Sequence, residues 1–175
     1  MKRLLAAMIG VGVAPLTGLT AQSASSAAGR TVPCGDAIAS TKFPYLGSNR
    51  PEYRYRQVLG VIAVPPAYMK QVVPTGEQPW AYCHKQGLVI RATRQSVTVT
   101  VPKESRKRAA ITWGNSGGPV SSLRIEGCKA TSANVGYAFA GGFLLRSPSA
   151  CLPLTFRVGR RSATVRFGLG QRCRT

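Results

Sequence analysis

Apolar and polar residues alternate along much of this chain, and the alternation has the period of strands, not of helices. In "LVIRATRQSVTVTV" (88–101), pairing Ala92 with Val97 sets Ile90 opposite Val99 and Leu88 opposite Val101, with Arg91, Thr98 and Thr100 on the other face. In "CLPLTFRVGRRSATVRFGLG" (151–170), pairing Val158 with Ala163 sets Phe156 opposite Val165, Leu154 opposite Phe167 and Leu152 opposite Leu169. A one-residue slip would carry every apolar side chain to the wet face, so two antiparallel hairpins with one buried and one solvated face are predicted. "YRYRQVLGVIAVPP" (53–66) alternates at first and then runs continuously apolar, which predicts a single buried strand stopped by Pro65 and Pro66. Further strands are expected at 68–73, 80–84, 109–113, 120–126 and 135–146, and no stretch holds a helical period for three turns.

About eight or nine short strands with regular turn signals predict an all-β fold, a single antiparallel β-sandwich or flattened barrel. It is expected to occupy residues 53–175, with 29–52, rich in Gly, Pro and polar residues, as an irregular arm tied down at Cys34. The first 28 residues have a different logic. Lys2 and Arg3 precede the apolar run from Leu4 to Val13, and the small and polar residues after it offer cleavage points after Ala21, Ser23 or Ala28. This is the pattern of a secretory leader; Pro15 and the polar run from Gln22 make it a poor membrane span, with a retained signal anchor as the alternative. The protein is expected to be exported, either released or associated with the cell wall.

Composition then adds a partner class. The chain carries 24 Lys and Arg against 5 Asp and Glu. Losing Lys2 and Arg3 with the leader leaves 22 basic residues against 5 acids, a mature charge of +17. Such a field attracts polyanions, among which an anionic cell-wall polymer or acidic glycan suits an exported protein. Arg outnumbers Lys 17 to 7, so arginine-rich coding alone contributes to the excess. Lys103, Arg106, Lys107 and Arg108 form a dense cluster between two predicted strands. Together with Arg157, Arg160, Arg161, Arg166, Arg172 and Arg174 they are candidates for one face that grips phosphate or carboxylate groups in pairs of hydrogen bonds. The alternative is a solvated loop and hairpin tip, the usual outcome for a charge run. Few aromatics interleave with these arginines and no helix-turn-helix, zinc-finger or RNP-like string occurs, so no specific nucleic-acid partner is predicted.

The five cysteines, Cys34, Cys83, Cys128, Cys151 and Cys173, are disulfide candidates in an exported chain. The second hairpin brings Cys151 and Cys173 together, making them the preferred bridge, with Cys34 and Cys128 competing for Cys83. One thiol is left over, free to pair with another chain in an interaction or inhibitor module. With a single histidine and no Cys-x-x-Cys, neither a metal site nor a cofactor is implied.

The one nucleophile motif is Gly-Asn-Ser-Gly-Gly-Pro (114–119), which resembles the Gly-Asp-Ser-Gly-Gly-Pro around the serine of trypsin-like proteases. The resemblance implies Ser116 as nucleophile and His84, the only histidine, as its base. It covers six residues, and the rest of the chain departs from that family. No Asp lies between His84 and Ser116, their separation of 32 residues is too short for the protease fold, and nothing designates Glu77 or Glu104 as a substitute. The same hexapeptide makes a turn between strands "AAITW" and "PVSSLRI", where Asn and Gly tolerate positive φ. A non-catalytic protein is therefore expected, with a serine hydrolase as the alternative. Trp80, Tyr82 and His84 share one face of an extended segment: core if covered, a carbohydrate-stacking row if bare.

In the last third, Ala-Gly-Gly-Phe (140–143), Ala-Cys-Leu-Pro-Leu (150–154) and Phe-Gly-Leu-Gly-x-x-Cys (167–173) resemble strings in small secreted actinobacterial proteins that carry no assigned function. That resemblance implies a secreted Gram-positive setting and transfers no functional residue.

Overall fold

Strands account for nearly all the regular structure. The structure, a computed structural model, describes residues 29–174 apart from 116, 131 and 133, so the expected leader at 1–28 lies outside the described residues. Among the described residues there are fifteen strands, three single-turn 3-10 segments and no α-helix. In chain order the strands are β1 (Arg30–Val32), β2 (Ala39–Lys42), β3 (Arg56–Val58), β4 (Ile62–Val64), β5 (Tyr68–Met69), β6 (Val73–Pro74), β7 (Tyr82–Lys85) and β8 (Leu88–Arg91). They continue with β9 (Val97–Thr100), β10 (Ala109–Trp113), β11 (Ser122–Ile125), β12 (Val135–Phe139), β13 (Gly141–Leu145), β14 (Ala150–Val158) and β15 (Arg161–Leu169).

They form three sheets, ordered β1-β11-β9-β14-β15-β5, β10-β13-β7-β6 and β2-β12-β8-β4-β3. Pairing is antiparallel except at two edges, where β1 joins β11 and β5 joins β15 in parallel. The inner faces of all three sheets meet in one core, to which the six-stranded sheet sends Val97, Leu123, Leu154 and Phe156, the four-stranded sheet Trp113 and Phe143, and the five-stranded sheet Ile62, Ile90 and Phe139. A relay of rings crosses this core: Trp113 meets Phe143 edge-on at 5.5 Å, Phe143 lies 5.2 Å from Phe167, and Phe167 lies 6.4 Å from Phe156. The buried Trp113 Nε1–H donates to the Gln86 carbonyl at 2.9 Å. The all-β, disulfide-stabilised expectation holds, with fifteen strands among the described residues where about eight or nine were expected, in sandwich-like packed sheets fastened by Cys34–Cys128 and Cys151–Cys173.

The C-terminal hairpin forms with the expected faces but a tighter register. Val158 pairs with Arg161 and Phe156 with Ala163, two residues from the expected pairing. Gly159, at φ +57°, occupies the first central position of a two-residue turn, a place for which a tight hairpin favours glycine. Because the shift is two residues, every side chain keeps its face. The expected 88–101 hairpin does not form. β8 pairs with β12 and β4, whereas β9 pairs with β11 and β14 in a different sheet. Leu88 and Ile90 enter the main core while Val89, pointing the opposite way, is buried in a second cluster, so β8 has no solvated face to fix a register. The single strand expected within 53–66 is likewise a hairpin. Leu59 and Gly60 take positive φ (+54° and +73°), and the Val61 N–H donates back to the Val58 carbonyl at 3.3 Å.

Three further segments divide between sheets. The single strand expected at 68–73 is two short ones, β5 in the six-stranded sheet and β6 in the four-stranded sheet. Residues 135–146 split at Ala140 into β12 and β13, which belong to different sheets. Gly141 and Gly142 make this corner at φ +149° and +154°, where a Cβ would collide with the carbonyl oxygens of Thr112 and His84. The expected arm, 29–52, supplies β1 to the six-stranded sheet and β2 to the five-stranded one, so it is woven into the fold rather than irregular.

Candidate functional site

Ser116 lies outside the described residues, but its neighbours show what the glycine-rich loop is fitted to. Ile111 of β10 bridges Val120, two residues before β11 (N–O 2.9 and 3.1 Å), and β10 and β11 themselves lie in separate sheets. The intervening loop uses Gly114 at φ +95° and Gly117 at φ +86°. A Cβ on Gly114 would stand 2.6 Å from Val32 Cγ1, and one on Gly117 would stand 2.6 Å from Arg30 Nη1. The loop thus packs on the 30–36 segment, where Arg30 Nη2 donates to the Trp113 carbonyl at 2.9 Å and the Asn115 N–H donates to Asp36 Oδ2 at 3.1 Å. Burial lowers the pKa of Arg30, and the nearby charge of Asp36 opposes that shift. Cys34–Cys128 closes the same corner.

His84 sits on β7 opposite Phe143 of β13, which in turn pairs with Ile111. Its Nδ1 hydrogen-bonds the Gln71 carbonyl, which only accepts, so Nδ1 carries the proton. Among the described residues Nε2 is buried without a partner, and the Phe143 ring lies 6.4 Å away. Tyr82, on the same side of β7, packs against the main core. Trp80 precedes the strand and lies under the Arg146 guanidinium at 5.4 Å. The expected aromatic row is therefore split: Tyr82 packs inward, and Trp80 is engaged by a cation. A cavity of about 940 Å³ does bring His84, Cys83, Glu77 and Asn115 to one opening. Among the described residues it is the Gln71 backbone carbonyl, and no carboxylate, that accepts from the imidazole, so the Asp-His pairing of the protease triad is not formed there.

The cysteine expectations divide. Cys151–Cys173 is formed as preferred, but Cys83 is free and half-buried in the cavity wall while Cys34 and Cys128 pair with each other. The reason is topological. Parallel pairing of β1 with β11 brings the segments that follow these strands, with Cys34 and Cys128, to one end of the sheet, and β7 lies in another. Among the described residues no group of three His, Cys, Asp or Glu side chains could hold a metal ion.

The expected basic set separates into three places. Arg157 and Arg166 are exposed on the outer face of the six-stranded sheet. Arg160 is at the tip of the β14–β15 hairpin, and Arg161 turns back so that its Nη2 donates to the Leu59 carbonyl at 3.1 Å. Lys103, Arg106, Lys107 and Arg108 follow β9 at the opposite end of the sheet, since Val97 pairs near the hairpin tip and Thr100 away from it. Arg106 Nε there donates to the Val101 carbonyl at 3.1 Å. Arg172 lies over the Tyr68 ring at 4.6 Å. The arginine that joins Arg157 and Arg166 on the outer face is Arg124 of β11, which the expected set did not include. The alternation in "SLRI" (122–125), with Leu123 and Ile125 inward, was the signal for it. Comparison with protein-family models, curated proteins and solved structures finds no match to this chain.

Proposed function

We propose that this is an exported, non-catalytic protein that adheres to anionic polymers of the cell envelope. The observation carrying this reading is the charge imbalance, 24 basic residues against 5 acids. Two disulfides fit an oxidising compartment, and among the described residues no helix is long and apolar enough to cross a membrane. Export rests on the leader-like residues 1–28, and a Gram-positive setting on the C-terminal resemblance alone. Absence of catalysis is favoured by the engagement of His84 with a carbonyl rather than a carboxylate.

The test is titration of the mature protein against a teichoic-acid-like polymer across a salt series. Binding that weakens as salt rises is expected, because the contacts are screened charges. No binding at low salt would overturn the proposal. A fluorophosphonate probe is expected to leave the native protein unlabelled at Ser116, with Ser116→Ala as control. Labelling that depends on Ser116 would replace adhesion with hydrolysis.

A further inference from the structure

The outer face of the six-stranded sheet carries arginine and hydroxyl side chains in register. Its register aligns Thr31, Arg124, Thr98, Arg157 and Ser162 in one row across five strands. The next outward row is Ser122, Thr100, Thr155 and Thr164, and beyond it Pro153 pairs with Arg166. None of the six strands contains Asp or Glu; the nearest acid along the chain, Glu126, follows β11 directly. Among the described residues none engages the guanidinium of Arg124, Arg157 or Arg166 by hydrogen bond or ion pair. Cross-strand contacts of 3.2 Å between Thr100 and Ser122 and between Thr155 and Thr164 hold the hydroxyl floor in place. Branching at Cβ stiffens these threonines further.

We infer that this face is the binding surface and that its ligand is an extended acidic polysaccharide lying across the strands. The inference rests on the polyanion reading above and assigns it a place and a ligand class. Arg124 and Arg157 are two strands apart, about 10 Å, and Arg166 pairs four residues further along β14, about 13 Å away. Such spacing suits charges repeated along a polymer better than one small anion. Each guanidinium can hold a carboxylate, sulfate or phosphate with paired hydrogen bonds, and the hydroxyl rows between them match the hydroxyls of sugar rings. Single-stranded nucleic acid is a poorer fit because it needs aromatic platforms. The aromatic residue at this face, Tyr68 on the edge strand, is already stacked under Arg172. A lipid surface fits less well still, since the exposed large apolar residues Ile38, Leu46, Tyr53 and Val73 all lie outside this sheet.

The experiment is calorimetric titration of the full exported protein with heparin at about 0.15 M salt. It compares wild type, the face variant Arg124→Thr/Arg157→Thr/Arg166→Thr, and the charge-matched control Lys103→Ser/Lys107→Ser/Arg108→Ser, with thermal melts reporting folding. The face variant is expected to bind at least about tenfold more weakly and the control less than about threefold. Equal losses, or no loss in the face variant, would overturn the assignment of the face while leaving the polyanion reading intact. Wild type failing to bind even at low salt would remove both. Displacement of heparin by single-stranded DNA of equal charge at lower concentration would overturn the polysaccharide assignment. Should the triple variant not fold, Arg157→Thr alone, in the middle of the row, is expected to weaken binding about twofold to threefold, and unchanged affinity would count against the face.

Discussion

The outer faces of the six-stranded and five-stranded sheets have opposite fates. The first is bare: Arg124, Arg157, Thr164 and Arg166 are exposed. The second is covered over its centre. Its outward row runs Ala39, Ala138, Val89, Ala63 and Gln57; the edge residues Ala39 and Gln57 are exposed, and Val89 and Ala63 between them are buried with Phe43 and Tyr55. The 43–55 segment folds over it, with Tyr45 edge-on to Tyr55 at 4.9 Å and Gly47 close against the Tyr55 ring. One sheet is thus a two-faced surface and the other a middle layer, and the difference governs both what substitutions cost and what could be read from the sequence.

The largest effect is expected on the shared inner side. Phe156 is fully buried in the ring relay between the sheets, so Phe156→Ala should destabilise by about 3–5 kcal/mol, measured by chemical denaturation. A loss below about 1 kcal/mol would mean that the six-stranded sheet does not seal the core. Next comes the covered outer face. Val89→Thr keeps shape but adds a hydroxyl among Phe43, Tyr55 and Ala63, and should cost about 1–3 kcal/mol. Were the five-stranded sheet as bare as its counterpart, this substitution would be silent.

The same contrast explains what the sequence disclosed. "VTVT" (97–100) and "LTFRV" (154–158) alternate because each strand has one wet face, and their side-chain orientation was legible to the residue. "LVI" (88–90) and "IAV" (62–64) are buried on both sides, so alternation vanishes and with it the information that assigns partners. That is why the local pattern pairs β8 with β9 and does not mark the Leu59–Gly60 turn inside an apolar run. Local pattern reports burial of a face, not which sheet provides the cover. The candidate site was legible in part for the same reason: Arg157 and Arg166 stood out in the hairpin, whereas Arg124 needed a strand placed beside β9. The Cys34–Cys128 bridge depended on a parallel edge pairing that no short-range signal announces.

A smaller effect tests how tightly the cover is closed. The Tyr55 hydroxyl donates to the Gly87 carbonyl at 2.9 Å and accepts from Gln86 Nε2 at 2.6 Å. Tyr55→Phe should cost about 1 kcal/mol near neutral pH. Burial raises the Tyr55 pKa above its ordinary 10.0, the hydrogen bond from Gln86 opposes this, and Tyr45 adds to it. The fold therefore favours the neutral phenol. Its contribution is fully present below pH 10 and is lost as pH rises from there through the folded pKa. Wild type should lose stability over that alkaline range more steeply than Tyr55→Phe, and parallel curves would show that the phenol is open to water.

The smallest effect is expected on the bare sheet. Thr164 is exposed on β15, in hydroxyl contact with Thr155 at 3.2 Å. Thr164→Val preserves the branch at Cβ, and so the strand preference, while removing one solvent-facing hydrogen bond. Stability should therefore change by no more than about 0.5 kcal/mol. The pair Val89→Thr and Thr164→Val exchanges the same two side chains in opposite directions on the outer faces of two sheets. A penalty at position 89 with near-neutrality at 164 requires that one face is packed and the other free. Equal penalties would mean that the arginine-bearing face is itself covered, and a face already occupied has no room for a polymer.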